Sequence, residues 1–476
     1  VIIERFYEEK LAQASYLIGC GKTGEAIVID ANRNIGTYLD RAREKGLRIT
    51  AVTETHIHAD FVSGSRELAH AAGATLYLSD EGTSDWKYAF ADEPNVRLIK
   101  DGDSLWVGNL RLDVMKTPGH TPEHITFLLT DTPASTEPCC AFTGDFVFAG
   151  DVGRPDLLER AAGIEGTMLD GAKTLFGSIS RFKQLHDGLI LWPGHGAGSA
   201  CGKSLGGTPA TSLGYERSAN WGIRTDDESS FVANVLEGQP DPPPYFKEMK
   251  RINKVGSDFA HMRAVPDRLP ASDVEDRLVG GNYILDIRDE SRVATSYVPG
   301  SINIPLGDSF VKWAGWLVPY DVPIYLIAES EQQVRRAIED LSLIGIDDIK
   351  GWYADTDLDV ATTSVIPQVS VGEVAALRAN ESTVLDVRSV EEYQEGHIPG
   401  AINMPIAHIR DHYNRLSREK LIVVHCESGS RSAIAVSLLR SIGFENVENY
   451  PHGFNEYSRS GFPVEKEDAA LSAAAK

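Results

Sequence analysis

The feature that most constrains this chain is an internal repeat. The run ILDIRDESRVATSYVPGSINIP (284–305) returns as VLDVRSVEEYQEGHIPGAINMP (384–405), 100 positions later. Asp286 and Asp386, Arg288 and Arg388, Pro299 and Pro399, Gly300 and Gly400, and Asn303 and Asn403 coincide. The match continues with PIYLIAESEQQVRRAIEDLSLIGIDDI (323–349) against KLIVVHCESGSRSAIAVSLLRSIGFENV (420–447), at an offset of 98. Each copy reads strand, loop, strand, loop, helix. That order predicts two small parallel α/β domains, at 269–362 and 367–468, with a frayed tail at 469–476.

The remaining half, residues 1–255, alternates β-rich runs with Gly-rich loops. EAIVID (25–30), RLDVMKTPG (111–119), HITFLLT (124–130) and GLILWPGHG (188–196) read as strands, and GTYLDRAREKG (36–46) as a helix. This pattern predicts a layered α/β domain. It ends in the Pro-rich turn and basic helix QPDPPPYFKEMKRINK (239–254), and 256–268 reads as a linker. Three domains match the length of 476 residues at about 150 residues per domain.

No apolar run reaches the ~18 residues of a membrane span. VIIERFYEEK carries charges and no apolar core, so it does not read as an intact secretory signal. Acidic residues outnumber basic ones 69 to 46, a net charge of −23 that repels nucleic acid and anionic lipid. Five cysteines, an odd number, argue against a disulfide scaffold and for a reducing, cytoplasmic setting.

Four loops of the first domain carry metal-ligating residues. TETHIHADF (53–61) holds His56, His58 and Asp60, TPGHT (117–121) holds His120, FTGDF (142–146) holds Asp145, and WPGHG (192–196) holds His195. Each follows an apolar run and sits beside small residues, where a strand ends in a tight loop. Imidazole and carboxylate ligands suit zinc or iron, and two His with one carboxylate leave open positions on Fe(II).

These motifs resemble those of the metallo-β-lactamase fold superfamily, over about residues 1–255. The resemblance implies an αββα sandwich with metals at its edge. Its dinuclear form would use His56, His58 and His120 at one site. Asp60, the residue at 61 and His195 would form the other, with Asp145 bridging. Position 61 is Phe, which cannot ligate, so a two-metal hydrolase is disfavoured. The persulfide dioxygenase branch binds one iron through residues that map to His56, His120 and Asp145. GDVGRPDL (150–157) and HGAGSACGKSLGG (195–207) also resemble the branch fused to rhodanese units. In this reading His58, Asp60 and His195 orient ligands or hold a water, or are relict hydrogen-bonded groups. Arg154 attracts an anionic substrate or makes a structural salt bridge.

VVHCESGSRSA (423–433) places Cys426 at the end of an apolar run, just before a helix. C-x-x-G-x-R-S, with D-V-R (386–388) and G-H-I-P-G-A-I-N (396–403), resembles the rhodanese active loop. That implies a thiolate nucleophile cradled by loop N–H groups, with Arg431, Gly429 and Ser432 around it. Glu427 disfavours a dianionic donor. In the middle copy Ala328, Glu331 and Gln333 replace Cys426, Gly429 and Arg431, so that domain is expected to be inactive.

Cys201, six residues past His195, is a candidate sulfur relay or an idle loop thiol. Cys139 and Cys140 read as packing, and Cys20 is open. The sequence thus points to a persulfide dioxygenase with one Fe(II) per chain, coupled to a Cys426 sulfurtransferase. Its partners would be a persulfide, thiol, sulfite or thiosulfate, with homo-oligomerisation implied only by family likeness. The alternatives are a zinc thioester hydrolase of the glyoxalase II type and a carrier in which only Cys426 matters.

Overall fold

The computed structural model describes residues 1–162, 166–259, 264–359, 363–378 and 380–466. The chain packs as two units, Val1–Arg263 with Glu339–Ile346, and Ala264–Ile338 with Asp347–Lys476. The division falls inside the expected linker. Residues 260–263, residues 360–362 at the end of the middle copy, and the 469–476 tail lie outside the described residues. One segment departs from the expected boundaries. Residues 339–346, assigned by the repeat to the middle domain, pack with the first unit. There the Val62 N–H donates to the Leu343 carbonyl at 2.7 Å and the Arg33 guanidinium to the Ser342 carbonyl at 3.1 Å.

In the first unit, β1 (Ile2–Glu8), β2 (Gln13–Cys20), β3 (Glu25–Ile29), β4 (Arg48–Thr53), β5 (Thr75–Ser79) and β6 (Val96–Ile99) form one sheet in that order. A second sheet holds β7 (Ser104–Val107), β8 (Leu110–Lys116), β9 (Ile125–Asp131), β10 (Cys140–Gly144), β11 (Ile190–Pro193) and β12 (Thr211–Ser212), in reverse order. Helices α1 (Ile35–Glu44) and α2 (Ser65–Ala72) pack on the outer face of the first sheet through Tyr38, Ala42, Leu68 and Ala69. Between the sheets lie Tyr16, Ile18, Ile27, Leu112, Phe127 and Phe142. Helix α3 (Thr167–Phe182) covers the second sheet through Leu175, Ile179 and Phe182. The layers are therefore helix, sheet, sheet, helix. Alternation in β2 shows why: Tyr16 and Ile18 face the other sheet while Leu17 faces the helices, so every residue of the strand is buried.

The second unit contains two four-stranded sheets. β13 (Tyr283–Asp286), β14 (Ile302–Asn303), β15 (Ile324–Ala328) and β16 (Ile349–Ala354) take the order β14-β13-β15-β16. β17 (Ser382–Asp386), β18 (Ile402–Asn403), β19 (Leu421–His425) and β20 (Val447–Asn449) take the order β18-β17-β19-β20. All pairs are parallel, and the two orders are the same. Asp286 pairs with Ile327 and Asp386 with His425, so Ala328 occupies the strand position of Cys426. The repeated Asp, Arg and Asn are scaffold. Arg288 Nε donates to Asp286 at 2.9 Å, and Asn303 Nδ2 to the Asp286 and Arg288 carbonyls at 2.9 Å. Arg388, Asp386 and Asn403 repeat that network.

Candidate functional site

The metal-ligating residues lie in loops at the C-terminal ends of β4, β8, β10 and β11. His120 follows Gly119, whose φ of +144° and close approach to Leu175 of α3, 2.4 Å from where a Cβ would sit, admit no side chain. Asp145 follows an irregularity in the β10–β11 pairing between Phe142 and Gly144. These turns aim side chains from four strands at one buried point.

The hydrogen bonds fix which nitrogen of each imidazole carries the proton. The Thr55 hydroxyl donates to Asp30 Oδ2 at 2.9 Å, so its lone pair accepts the Nδ1–H of His56 at 2.9 Å. His120 Nδ1–H donates to the Arg154 carbonyl at 2.9 Å, and His195 Nδ1–H to the Ala12 carbonyl at 2.9 Å. At His56 and His120 this leaves Nε2 as a lone pair turned inward. His56 Nε2 and His120 Nε2 lie 3.9 and 3.5 Å from Asp145 Oδ2, and His195 Nε2 lies 3.4 Å from Asp145 Oδ1.

Burial, and after it the neighbouring imidazoles, holds His56 well below the ordinary histidine range; burial also lowers His120. Both are neutral ligands at neutral pH. His56 Nε2 and both oxygens of Asp145 are buried and accept no hydrogen bond among the described residues. An unpaired buried polar atom costs about 1–3 kcal/mol, and more when charged. A cation coordinated by His56, His120 and Asp145 satisfies all three groups, so these residues fit a metal ion, as the sequence expects.

His58 does not join this group. Its Nε2 lies 3.0 Å from Asp30 Oδ1, and its ring is tilted 57° to that of His56 with centroids 4.3 Å apart. Burial opposes its protonation, but the Asp30 charge and hydrogen bond outweigh burial and lift it to about 9. His58 is therefore a cationic prop beside the ligand, clasped to the carboxylate that also receives the Thr55 N–H at 2.7 Å. Phe61 is fully buried with its ring 4.4 Å from that of His58. Burial of such a side chain contributes about 1.5–3 kcal/mol of packing that a ligating imidazole would forgo.

Asp60, His195 and Cys201 meet in a second buried group. Burial lowers the proton affinity of His195, but Asp145, Cys201 and Asp60 together raise it well above the ordinary value. Burial, and then the charge of Asp145, pushes the Cys201 thiol up to about 12, so free Cys201 is a thiol.

For Arg154 the structure shows the second of its two expected roles, a structural salt bridge. Arg154 is fully buried, with Nε and Nη2 on the two Asp156 oxygens at 2.8 and 2.7 Å and Nη1 on the Ala200 carbonyl at 2.9 Å. Asp156, two residues away, takes the Nε–Nη2 edge and the Ala200 carbonyl takes Nη1, so the buried guanidinium presents no open edge to a substrate. The Arg154 carbonyl orients His120 instead.

Sequence reasoning also passed over three anchors. His124 Nε2 accepts the Asp145 N–H at 3.1 Å, Asp30 clasps Thr55 and His58, and Glu123 accepts the Ile57 N–H at 2.8 Å. Their signal was only a polar residue closing a strand or following His120.

In the last domain Cys426 follows β19 and is buried, and Gly429 N–H donates to its Sγ at 3.1 Å. Gly429, with φ of +109°, opens helix Ser430–Ser441, and the Ser432 hydroxyl donates to the Gly429 carbonyl at 2.8 Å. The charges of this loop are paired. Arg388 Nη1 meets Glu427 at 3.0 Å, and Arg431 grips Glu392 at 2.6 and 2.8 Å. The repulsion expected from Glu427 is therefore offset, and the attraction expected of Arg431 is shared with Glu392. Cys20 and Cys140 lie in the layer between the sheets of the first unit, with Cys139 packed against it.

Comparison with known proteins agrees with this geometry. The profile for the Metallo-beta-lactamase superfamily matches residues 9–195, and that for the Rhodanese-like domain matches 370–460. Persulfide dioxygenase ETHE1, mitochondrial, of Bos taurus is 28% identical over 204 residues, covering 41% of this chain and 68% of that protein. A hydroxyacylglutathione hydrolase of Polaromonas sp. is 31% identical over 197 residues, covering 41% of this chain and 66% of that protein. A solved structure of a metallo-beta-lactamase from Staphylococcus aureus is 40% identical, with a TM-score of 0.67, and covers 74% of this chain and 98% of that one. The four-layer fold, the converging His and Asp ligands and these likenesses together show that the chain belongs to the metallo-beta-lactamase superfamily and carries a C-terminal rhodanese-like domain.

Proposed function

We propose that this chain oxidises low-molecular-weight thiol persulfides at a single Fe(II) held by His56, His120 and Asp145, and that Cys426 moves sulfane sulfur. The observation that carries the reading is the set of inward lone pairs, two neutral imidazoles and one carboxylate, with Phe61 at the neighbouring position. Two His and one carboxylate leave coordination positions for both persulfide and oxygen. When bound, the iron supplies oxygen activation. The protein holds the ligand tautomers through Thr55 and the Arg154 carbonyl and keeps the pocket dry. The overall reaction balances as RSSH + O2 + H2O giving RSH + sulfite + two protons. A Cys426 persulfide meeting sulfite releases thiosulfate and restores the thiolate; the reverse direction loads the cysteine.

The middle domain, 269–362, is on this reading an inactive rhodanese-like unit, since Ala328 stands where a nucleophile would. The setting proposed is cytoplasmic; among the described residues no helix is long and apolar enough to cross a membrane.

A second reading is favoured by the likeness to a hydroxyacylglutathione hydrolase: a zinc enzyme that cleaves thioesters. Anaerobic purification, metal analysis and an oxygen electrode separate the two. Iron with oxygen uptake on glutathione persulfide supports the first. Zinc with thioester cleavage and no uptake replaces it with the second.

A further inference from the structure

We propose that residues 339–346, which the repeat assigns to the middle copy, are a positioning element for the metal site: they hold the segments of the first unit that orient its histidines. This role requires that His56, His120 and Asp145 bind a metal, as in the proposed function, and is independent of the reaction carried out there.

The segment packs in the first unit, and its polar contacts there fall on residues next to groups that aim the site. The Lys10 ammonium pairs with the carboxylate of Asp340, a residue only 5% exposed. Lys10 stands two residues before Ala12, whose carbonyl lies 2.9 Å from His195 Nδ1. Buried Arg33 donates to the Ser342 carbonyl at 3.1 Å and to the Asp258 carbonyl at 2.6 Å, acceptors that a buried guanidinium needs. Three residues before it, Asp30 takes the Thr55 N–H and hydroxyl at 2.7 and 2.9 Å, and the Thr55 hydroxyl faces His56 Nδ1 at 2.9 Å. The Val62 N–H donates to the Leu343 carbonyl at 2.7 Å. Val62 belongs to the loop that leaves His56 and carries His58, Asp60 and Phe61. Asn253 closes the other side of that loop. It donates to the His58 and Phe61 carbonyls at 2.8 and 2.7 Å and accepts the Ser63 N–H at 2.8 Å.

Packing fixes the segment against this loop. Leu341, Leu343, Ile344 and Ile346 are buried. Gly345 has a φ of +73°, and a Cβ there would stand 2.8 Å from Ile252 Cδ1 and 3.1 Å from both Met249 Cε and Val62 Cγ2. In the last copy Leu438 stands where Asp340 does and is fully buried, so of the two copies only the middle one offers Lys10 a carboxylate. A copy without the cysteine thus keeps a part in the chemistry of the chain, by fixing the backbone from which His56 and its neighbours project.

The test is a competitive chelator titration of the metal-free full-length chain with Co(II), followed through the d–d absorption of the bound ion. Asp340→Asn and Gly345→Ala are each expected to weaken Co(II) binding by about 2–30-fold. Each is also expected to shift the d–d bands, because the ligands are re-aimed and not removed. Circular dichroism checks that the variants fold; if Gly345→Ala does not, Asp340→Asn decides. Wild-type affinity in the folded variants overturns this role alone. Weaker binding with unshifted bands also overturns it, since that marks lost stability and not a moved ligand. A wild-type chain that binds no Co(II) removes the metal site, and this role with it.

Discussion

At the residue scale, the centre is defined by where protons are not. Each ligating imidazole spends its N–H on a fixed acceptor, which leaves a lone pair for a cation. His124 does comparable work for Asp145 by accepting its backbone N–H. His124→Phe is therefore expected to weaken metal binding by about 10–100-fold while every ligand remains in place, as loss of an outer hydrogen bond does elsewhere. Unchanged affinity in a competitive chelator titration would count against this role. The candidate ligands stand out in the sequence, because each follows an apolar run and precedes a tight turn. His124 and Asp30 do not, because their function lies in tautomer choice and backbone satisfaction, which only the folded loops display.

The Arg431–Glu392 pair gives a pH signature. The Arg431 hydrogen bond holds Glu392 at about 2, against an ordinary value of 4.5. A depressed carboxylate adds stability that is fully present above its unfolded value and is lost as pH falls through its folded one. The difference in unfolding midpoint between the wild type and Glu392→Gln should thus be constant above about 4.5 and shrink as pH falls toward about 2. A difference that stays flat over that window would show that the pair contributes nothing to the fold.

At the element scale, the repeat predicts two small parallel α/β units, and the structure gives two four-stranded sheets of the same strand order. What the repeat could not show is that residues 339–346 pack with the first unit, since side-chain and carbonyl partners from distant segments decide that. The strand-to-helix turn at Gly429 is the tightest demand in the last domain. A Cβ there would stand 2.0 Å from the Pro451 carbonyl oxygen, in a backbone conformation that disfavours any side chain. Gly429→Ala is expected to cost about 1–3 kcal/mol or more and to displace the N–H that reaches Cys426. Loss of thiosulfate–cyanide sulfur transfer, with a lowered melting temperature, checks it. Full activity would mean that this N–H is dispensable.

At the scale of the whole molecule, the net charge of −23 acquires a consequence. Arg154 is buried and paired, and Arg431 shares its charge with Glu392, so these two expected attractors do little to offset the surrounding acidity. On the proposed function, an anionic persulfide approaches against net repulsion. Moderate salt should raise kcat/KM for oxygen uptake by screening it. A fall with salt would reveal a local cationic path. The two chemistries should also separate: Cys426→Ser is expected to abolish sulfur transfer and leave oxygen uptake within about twofold. Loss of uptake in that variant would mean that sulfur passes through Cys426 before it reaches the metal.

The central claim, that His56, His120 and Asp145 hold an iron that oxidises persulfide sulfur, is most directly tested by stoichiometry. Anaerobically prepared, iron-loaded full-length chain is given glutathione persulfide in an oxygen electrode, and sulfite and thiosulfate are measured in the same sample. One O2 is expected to be consumed per sulfite plus thiosulfate formed, with uptake and both products lost in Asp145→Asn. Persulfide or thioester turnover without oxygen consumption, or uptake that survives Asp145→Asn, would contradict it.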